Sequence, residues 1–325
     1  MKFSQKALWP GALSLALMGA FMPCLAGGAE DYLTEGDEAR AGGNLEVAAQ
    51  MFGHAVSEAP RDIDARLRLS ETLVALGRPA EARQQLDEAL DIDPLHGATN
   101  YFKARLLEQD GQEKLAIGHY RAAANADSSD LRSRTRLAML LMRQGDFAGA
   151  ERRLREVVEG QSLSADAHYY LGLAAIAQGE CTRGIEALGS ASRLSPHDPR
   201  VQQALSRACA SCPAATEEQK RESLLSAERL YERYPGRHSS ATLAMAMAAN
   251  DKFEDAIDMQ TRAIFEAIRA EDVQAQREMY LDLQRYQNGE AATRAWPEGS
   301  AIFSPPLARA WAASDQTADM AVAGN

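Results

Sequence analysis

Five glycines, Gly43, Gly77, Gly111, Gly145 and Gly179, follow one another at intervals of 34 residues. With 23 glycines in 325 residues, so regular a series is not a chance pattern, and it restricts the chain to architectures built by copying one unit. Other positions keep the same step: Ala48, Ala82, Ala116 and Ala150; Ala55, Ala89 and Ala123, then Val157, then Ala191; Pro60, Pro94 and, later, Pro196.

Each unit reads as two helices. In residues 63–96 apolar side chains recur at spacings of three and four, Gly77 interrupts the middle, and Pro94 closes the second helix. The glycine suits the position after a helix where the chain turns left-handed and a Cβ costs energy. The repeated alanines belong where two helices approach closely, and the proline, lacking an N–H, stops the second helix before the next unit.

The pattern resembles the tetratricopeptide repeat family, whose unit carries small residues at positions 8, 20 and 27, a large apolar one at 24 and proline at 32. Units starting at 29, 63, 97, 131 and 165 put Gly36 and Gly172 at position 8 and Phe52, Leu86, Tyr120, Leu154 and Leu188 at position 24. The resemblance implies an all-α fold, a right-handed superhelical α-solenoid of antiparallel helix pairs.

The expected units are 29–62, 63–96, 97–130, 131–164 and 165–198, then a degenerate 199–236 with an enlarged turn at "CPAATEEQKRE", then 237–270. The segment 271–288 reads as a capping helix that ends the solenoid over 27–288. Residues 289–325 have no period and read as a mostly disordered tail, in which Ile302, Phe303 and Trp311 are the side chains able to dock on the array.

At the other end, Lys2 and Lys6 precede the apolar run from Gly11 to Met22, which ends in small residues at Cys24-Leu25-Ala26. This is the pattern of a secretory leader over residues 1–26, so the expected location is the periplasm. Phe21-Met22-Pro23 before Cys24 does not fit a lipid-attachment signal, and no later stretch is long and apolar enough to span a bilayer. Without residues 1–26, which hold two lysines and no acid, 33 basic side chains face 46 acidic ones, a net charge of −13. That balance argues against nucleic acid as a partner, since binding it needs a basic face.

No nucleophile elbow, His-Glu-x-x-His pair or phosphate-binding glycine loop is present, and the six histidines are scattered over different units. Neither catalysis nor a metal or other cofactor is expected. Function, as the resemblance implies, lies on the concave face made by the first helix of each unit, at positions 2, 5, 9, 12 and 13 and sometimes 6. In the third to fifth units this face includes Tyr101, Arg105, Arg132, Arg136, Met139, Arg143, Tyr169 and Leu173. Arginine grips carboxylates while tyrosine, methionine and leucine give adaptable apolar contact, so the strip suits an acidic and apolar peptide segment. The competing reading is that Tyr169, Tyr170 and Leu173 pack against neighbouring helices and the arginines pair with acids such as Glu108 and Glu156. The family's Lys/Asn/Arg clamp for a C-terminal carboxylate is not matched, since the first two units offer Asp37, Asp64 and Glu71 there.

"CASC", Cys209 to Cys212, is the one place where two cysteines stand three apart. Pro213 in place of a histidine excludes haem attachment, and the last turn of a helix disfavours a thiolate. In the repeat register Cys181 falls at position 17 of the fifth unit and Cys212 at position 14 of the sixth, neighbouring places on one edge of the array. A Cys181–Cys212 disulfide is therefore preferred, with Cys181–Cys209 as the alternative.

These readings converge on an exported, non-catalytic scaffold or adaptor that holds a protein or peptide within an envelope assembly or export system, such as exopolysaccharide export, pilus or secretion assembly, or cytochrome maturation. Two alternatives stay open: a thiol redox or metal-binding factor using Cys209 and Cys212, and a self-associating spacer. The oligomeric state is not readable from the sequence.

Overall fold

The computed structural model describes residues 28–306; the expected leader and Trp311 lie outside the described residues. Among the described residues all regular structure is helical, and the helices come in pairs. The first four pairs are α1 (Ala29–Ala41) with α2 (Leu45–Glu58), α3 (Ile63–Ala75) with α4 (Pro79–Ile92), α5 (Gly97–Gln109) with α6 (Glu113–Ala126), and α7 (Leu131–Arg143) with α8 (Phe147–Gly160). Three more follow: α9 (Ala165–Ala177) with α10 (Cys181–Leu194), α11 (Pro199–Ser211) with α12 (Glu217–Arg233), and α13 (Arg237–Ala248) with α14 (Phe253–Arg269). A single helix, α15 (Val273–Gln287), closes the array, and a short 3-10 turn, Ala301–Phe303, lies beyond it. The protein is an all-α solenoid of antiparallel helix pairs.

Within each of the first five pairs the turn is made by the periodic glycine, whose φ lies between 72° and 81°. A side chain there would meet no neighbour, so the requirement for glycine is one of backbone conformation alone. The seventh pair puts Asp251 at the same turn with φ 60°, and Glu271 takes φ 54° before α15. These two turns carry a left-handed strain that the earlier ones avoid.

Helix starts are capped by short polar side chains: Asp62, Asp130, Ser164 and Asp272 each accept the backbone N–H three residues on, and Thr216 forms a capping box with Gln219. The periodic alanines Ala48, Ala82, Ala116 and Ala150 are wholly buried, as are Ala55, Ala89, Ala123 and Ala191. Phe52, Leu86, Tyr120, Leu154 and Leu188 fill the space between helices of a pair with at most 1 % exposure, which makes them the core of each unit. Where position 8 is glycine the fit is tightest: a Cβ on Gly36 would stand 2.5 Å from Phe52 Cε1, and one on Gly172 2.6 Å from Leu188 Cγ.

A second periodic device joins units to one another. Position 4 of the second to sixth units holds Arg66, Asn100, Arg134, His168 and Gln202, and each of these side chains bonds a carbonyl of the loop entering its unit. The acceptors are Pro60, Pro94, Asp127, Ser162 and Pro196, at 2.8 to 3.1 Å. Loop carbonyls left over when a helix ends are thereby satisfied, and the angle between successive units is fixed.

Two substitutions separate these effects. Asp251→Gly relieves the strained turn and is expected to stabilise the array by a few tenths to about 1 kcal/mol. Gly172→Ala forces Leu188 aside and is expected to cost about 1–3 kcal/mol. Urea or thermal melts followed by circular dichroism measure both, and equal and opposite shifts are not required for either to hold.

Candidate functional site

The first helices of successive pairs touch one another, α3 with α5, α7 with α9, α9 with α11 and α11 with α13, so they form the inner wall of the solenoid. The eight sequence-selected residues stand on this wall, but the structure divides them. Tyr101, Arg136, Met139, Tyr169 and Leu173 are at most 4 % exposed, whereas Arg132 and Arg143 reach solvent and Arg105 is half-buried. The expectation that all eight line an open groove is corrected for the five buried ones. The reason lies in α7 and α9, which are packed on nearly every side: in α7 the run Arg136 to Met142 is buried without interruption.

Arg136 sits inside a polar network. Its Nη1 donates to Glu108 Oε1 at 3.3 Å, and the Tyr120 hydroxyl donates to Glu108 Oε2 at 2.7 Å. Both charged side chains are nearly inaccessible, 5 % and 8 % exposed. Burial, reinforced by the Glu108 charge, pushes the Tyr120 phenol far above its ordinary range, so it stays a donor. Tyr169 rests edge-on against Tyr170 with its phenol likewise raised by burial, and the Arg200 guanidinium lies 5.4 Å over its ring.

A cluster of cations and rings lies at the α5–α7 boundary. The Tyr101 ring has the Arg132 guanidinium 5.0 Å from its centroid and that of Arg105 5.6 Å away, and Arg105 also lies 5.3 Å from the Phe102 ring. Cations held over aromatic faces in this way are fixed in direction, and Arg132 Nε also stands 3.7 Å from Asp130 Oδ1.

Of the expected tail 289–325, residues 289–306 are described and pack against the array, with Ala292, Ala295, Phe303 and Pro305 buried; residues 307–325 lie outside the described residues. Phe303 meets Phe147 and Trp296 edge-on at 5.8 and 6.0 Å, which is how the docking side chain singled out from the sequence is used. Arg143 Nη1 donates to the Pro305 carbonyl at 3.4 Å and its guanidinium also pairs with Glu113 at 2.7 Å. Arg207, on α11, donates through Nε to the Ala295 carbonyl at 2.8 Å and lies 5.2 Å over the Trp296 ring. Arg207 occupies position 9 of the sixth unit, an inner position that reading only the third to fifth units passes over. Beside it, α11, α13, α15 and the segment enclose a cleft of about 550 Å³ lined by Gln203, Arg207, His238, Asp282 and Arg285. Burial lowers the affinity of Arg207 and His238 for their protons and raises that of Asp282.

A disulfide joins Cys181, the first residue of α10, to Cys212 at the end of α11, with their Cα atoms 5.7 Å apart. Closing a loop with a separation of 31 residues contributes about 3 kcal/mol by restricting the unfolded chain. Cys209 is buried, and burial with the nearby Glu222 charge pushes its thiol up to about 12. "CASC" is therefore one bridged sulfur and one inert thiol, not a dithiol pair. Among the described residues no cluster of three or more His, Cys, Asp or Glu is placed to hold a metal ion.

Tetratricopeptide repeat profiles match residues 39–106 and 135–199. These two stretches are thus identified as tetratricopeptide repeats. Tetratricopeptide repeat protein 7B of Homo sapiens is 28% identical over 135 residues, covering 42% of this chain and 16% of that protein. Cellulose synthase 2 operon protein C of Komagataeibacter xylinus is 33% identical over 172 residues, covering 47% of this chain and 13% of that protein. The repeat array thus spans less than a fifth of the length of these curated relatives. The solved structure of Pseudomonas aeruginosa pilF superimposes with a TM-score of 0.50 at 15% identity, covering 64% of this chain and 92% of that one, a likeness of fold.

Two outcomes test the site geometry. Arg136→Ala leaves the Glu108 carboxylate buried without its cation and is expected to destabilise the array by about 3 kcal/mol, read from urea denaturation. Alkylation at pH 8 followed by peptide mapping is expected to leave Cys209 unmodified in the native protein and to label it after unfolding, as a thiol titrating near 12 requires.

Proposed function

We propose that this tetratricopeptide repeat protein is a non-catalytic scaffold, exported to the periplasm, that holds a segment of a partner protein on the inner face of α1, α3, α5 and the start of α7. The observation that carries the reading is the patch of Arg105 and Arg132 set against Tyr101 and Phe102.

The arginines suit carboxylates of the partner and the partly exposed Phe102 ring suits an apolar side chain, a combination common where proteins grip peptides. On α1 and α3 the same face carries a network in which Arg40 bonds Asp37 and Glu71, at 3.0 and 2.9 Å, and Arg68 bonds Asp37. Its mixed charge disfavours a uniformly acidic partner. A segment with one or two carboxylates near α5 and α7 and polar groups towards α1 fits best. The leader pattern at residues 1–26 supports export, and likeness to a protein named for a cellulose synthase operon favours exopolysaccharide export over pilus, secretion or cytochrome systems.

The experiment is crosslinking and recovery of partners from the native envelope with wild type and an Arg105→Glu/Arg132→Glu variant. Arg136 is unsuitable for charge reversal because it is core. Recovery of the partner is expected to fall about tenfold or more on reversal, as two lost charge-assisted contacts imply. Undiminished recovery from a variant with unchanged circular dichroism would refute the patch as the site.

A further inference from the structure

After α15 the chain turns back and runs over the ends of α11, α9 and α7, against the direction in which the units were built. Its attachment differs from that of the helices. Among the described residues, the backbone N–H bonds beyond Glu290 are all short-range: Ser300 to the Pro297 carbonyl, Phe303 to that of Ser300, and Ser304 to that of Ala301. No backbone bond ties the segment to the array. It is held instead by two of its own carbonyls, Ala295 and Pro305, each accepting from an arginine of the inner wall, and by two aromatic rings, Trp296 and Phe303.

That division of labour is how a preformed surface holds a foreign peptide. Arginine donors to main-chain oxygens hold a backbone whatever its sequence, and two rings at a spacing fixed by the turn and the 3-10 helix between them supply selectivity. Arg207 sharpens the point. It is 9 % exposed, its direct partners are the Ala295 carbonyl and the Trp296 ring, and the charges of Asp282 and Glu278 on α15 act on it from the same cleft. The α15 carboxylates offset part of the cost of burying this guanidinium, and the segment supplies the acceptor and π-face in direct contact.

We propose that the inner wall of α7, α9 and α11 is a recognition site for a turn-containing segment bearing a Trp-Pro step and a phenylalanine seven residues after the tryptophan, and that residues 292–306 are its resident ligand. A partner protein displaying a segment of the same chemistry takes its place. The cleft of about 550 Å³ alongside gives such a segment room to enter before the resident one has left. Because the resident segment is tethered within a few residues of α15, it acts at an effective concentration on the order of millimolar, and free peptide competes poorly with it. This site is separate from the Arg105/Arg132 patch, and its test does not depend on that patch.

The probe is a fluorescein-labelled synthetic peptide of residues 290–306, added to the full chain and to a full-chain Trp296→Ala/Phe303→Ala variant. Anisotropy is expected to show the variant binding the peptide about tenfold or more tighter than wild type. A peptide with the same two substitutions is expected not to compete. Equal binding by the two proteins, or none by either, would overturn the proposal. A second measurement uses wild type alone: trypsin cleavage after the exposed Arg294 is expected to accelerate several-fold when millimolar unlabelled peptide displaces the resident segment. An unchanged rate would show a fixed strap and would likewise overturn it.

Discussion

The solenoid depends on a single hydrogen-bonded joint, repeated. Where one unit's second helix ends, the loop exposes a carbonyl that must be satisfied, and the fourth residue of the next unit reaches back to it. Side chains of four chemical types, Arg66 and Arg134, Asn100, His168 and Gln202, do this at one position. What is kept is a donor on a stem of sufficient reach, not a residue type. With the joint made, the buried alanines set how closely helices approach, and the first helices of successive units come into register as an inner wall.

The inner wall then acquires two different characters. Around α5 and the start of α7 its arginines lie over aromatic rings, and the Arg132 side chain is exposed. From the end of α7 to α11 it is closed by the chain's own C-terminal segment, and the side chains beneath, Met139, Tyr169 and Leu173 among them, are core. The same kind of residue therefore serves recognition at one end and packing at the other. Arg132 and Arg136, four residues apart on one helix, show the contrast: the first lies over Tyr101 with an exposed side chain, the second is sealed against Glu108.

Much of this was legible in the sequence because it is periodic. The glycine turns, the alanines at helix crossings, the large residue at position 24 and the placing of Cys181 beside Cys212 all follow from counting in steps of 34. The joint at position 4 escaped because its residue type changes from each unit to the next, arginine alone returning, at Arg66 and Arg134. Burial of Tyr169 and Arg136 escaped because it depends on what packs against each inner position, Tyr170 and Arg200 on the first and Glu108 on the second, which the repeat position does not specify. The C-terminal segment has no period, and among its described residues Ile302 and Phe303 were the signs that it docks. Arg207, an inner-wall cation in a degenerate unit, was the matching sign on the other side.

A solenoid is ordinarily a line of nearest neighbours, in which each unit senses only the next and disorder at one end need not reach the other. The returning segment adds contacts from Arg207 and Trp296 to Phe147 and Arg143, joining the closing helix to a unit four pairs earlier in the chain. The line becomes a loop over its second half. Units behind α7 are thereby made to order or melt together, including the strained turns at Asp251 and Glu271, while α1 to α6 keep the independence of an open chain. Mechanical and thermal cooperativity in this molecule is thus set by about a dozen residues that belong to no repeat.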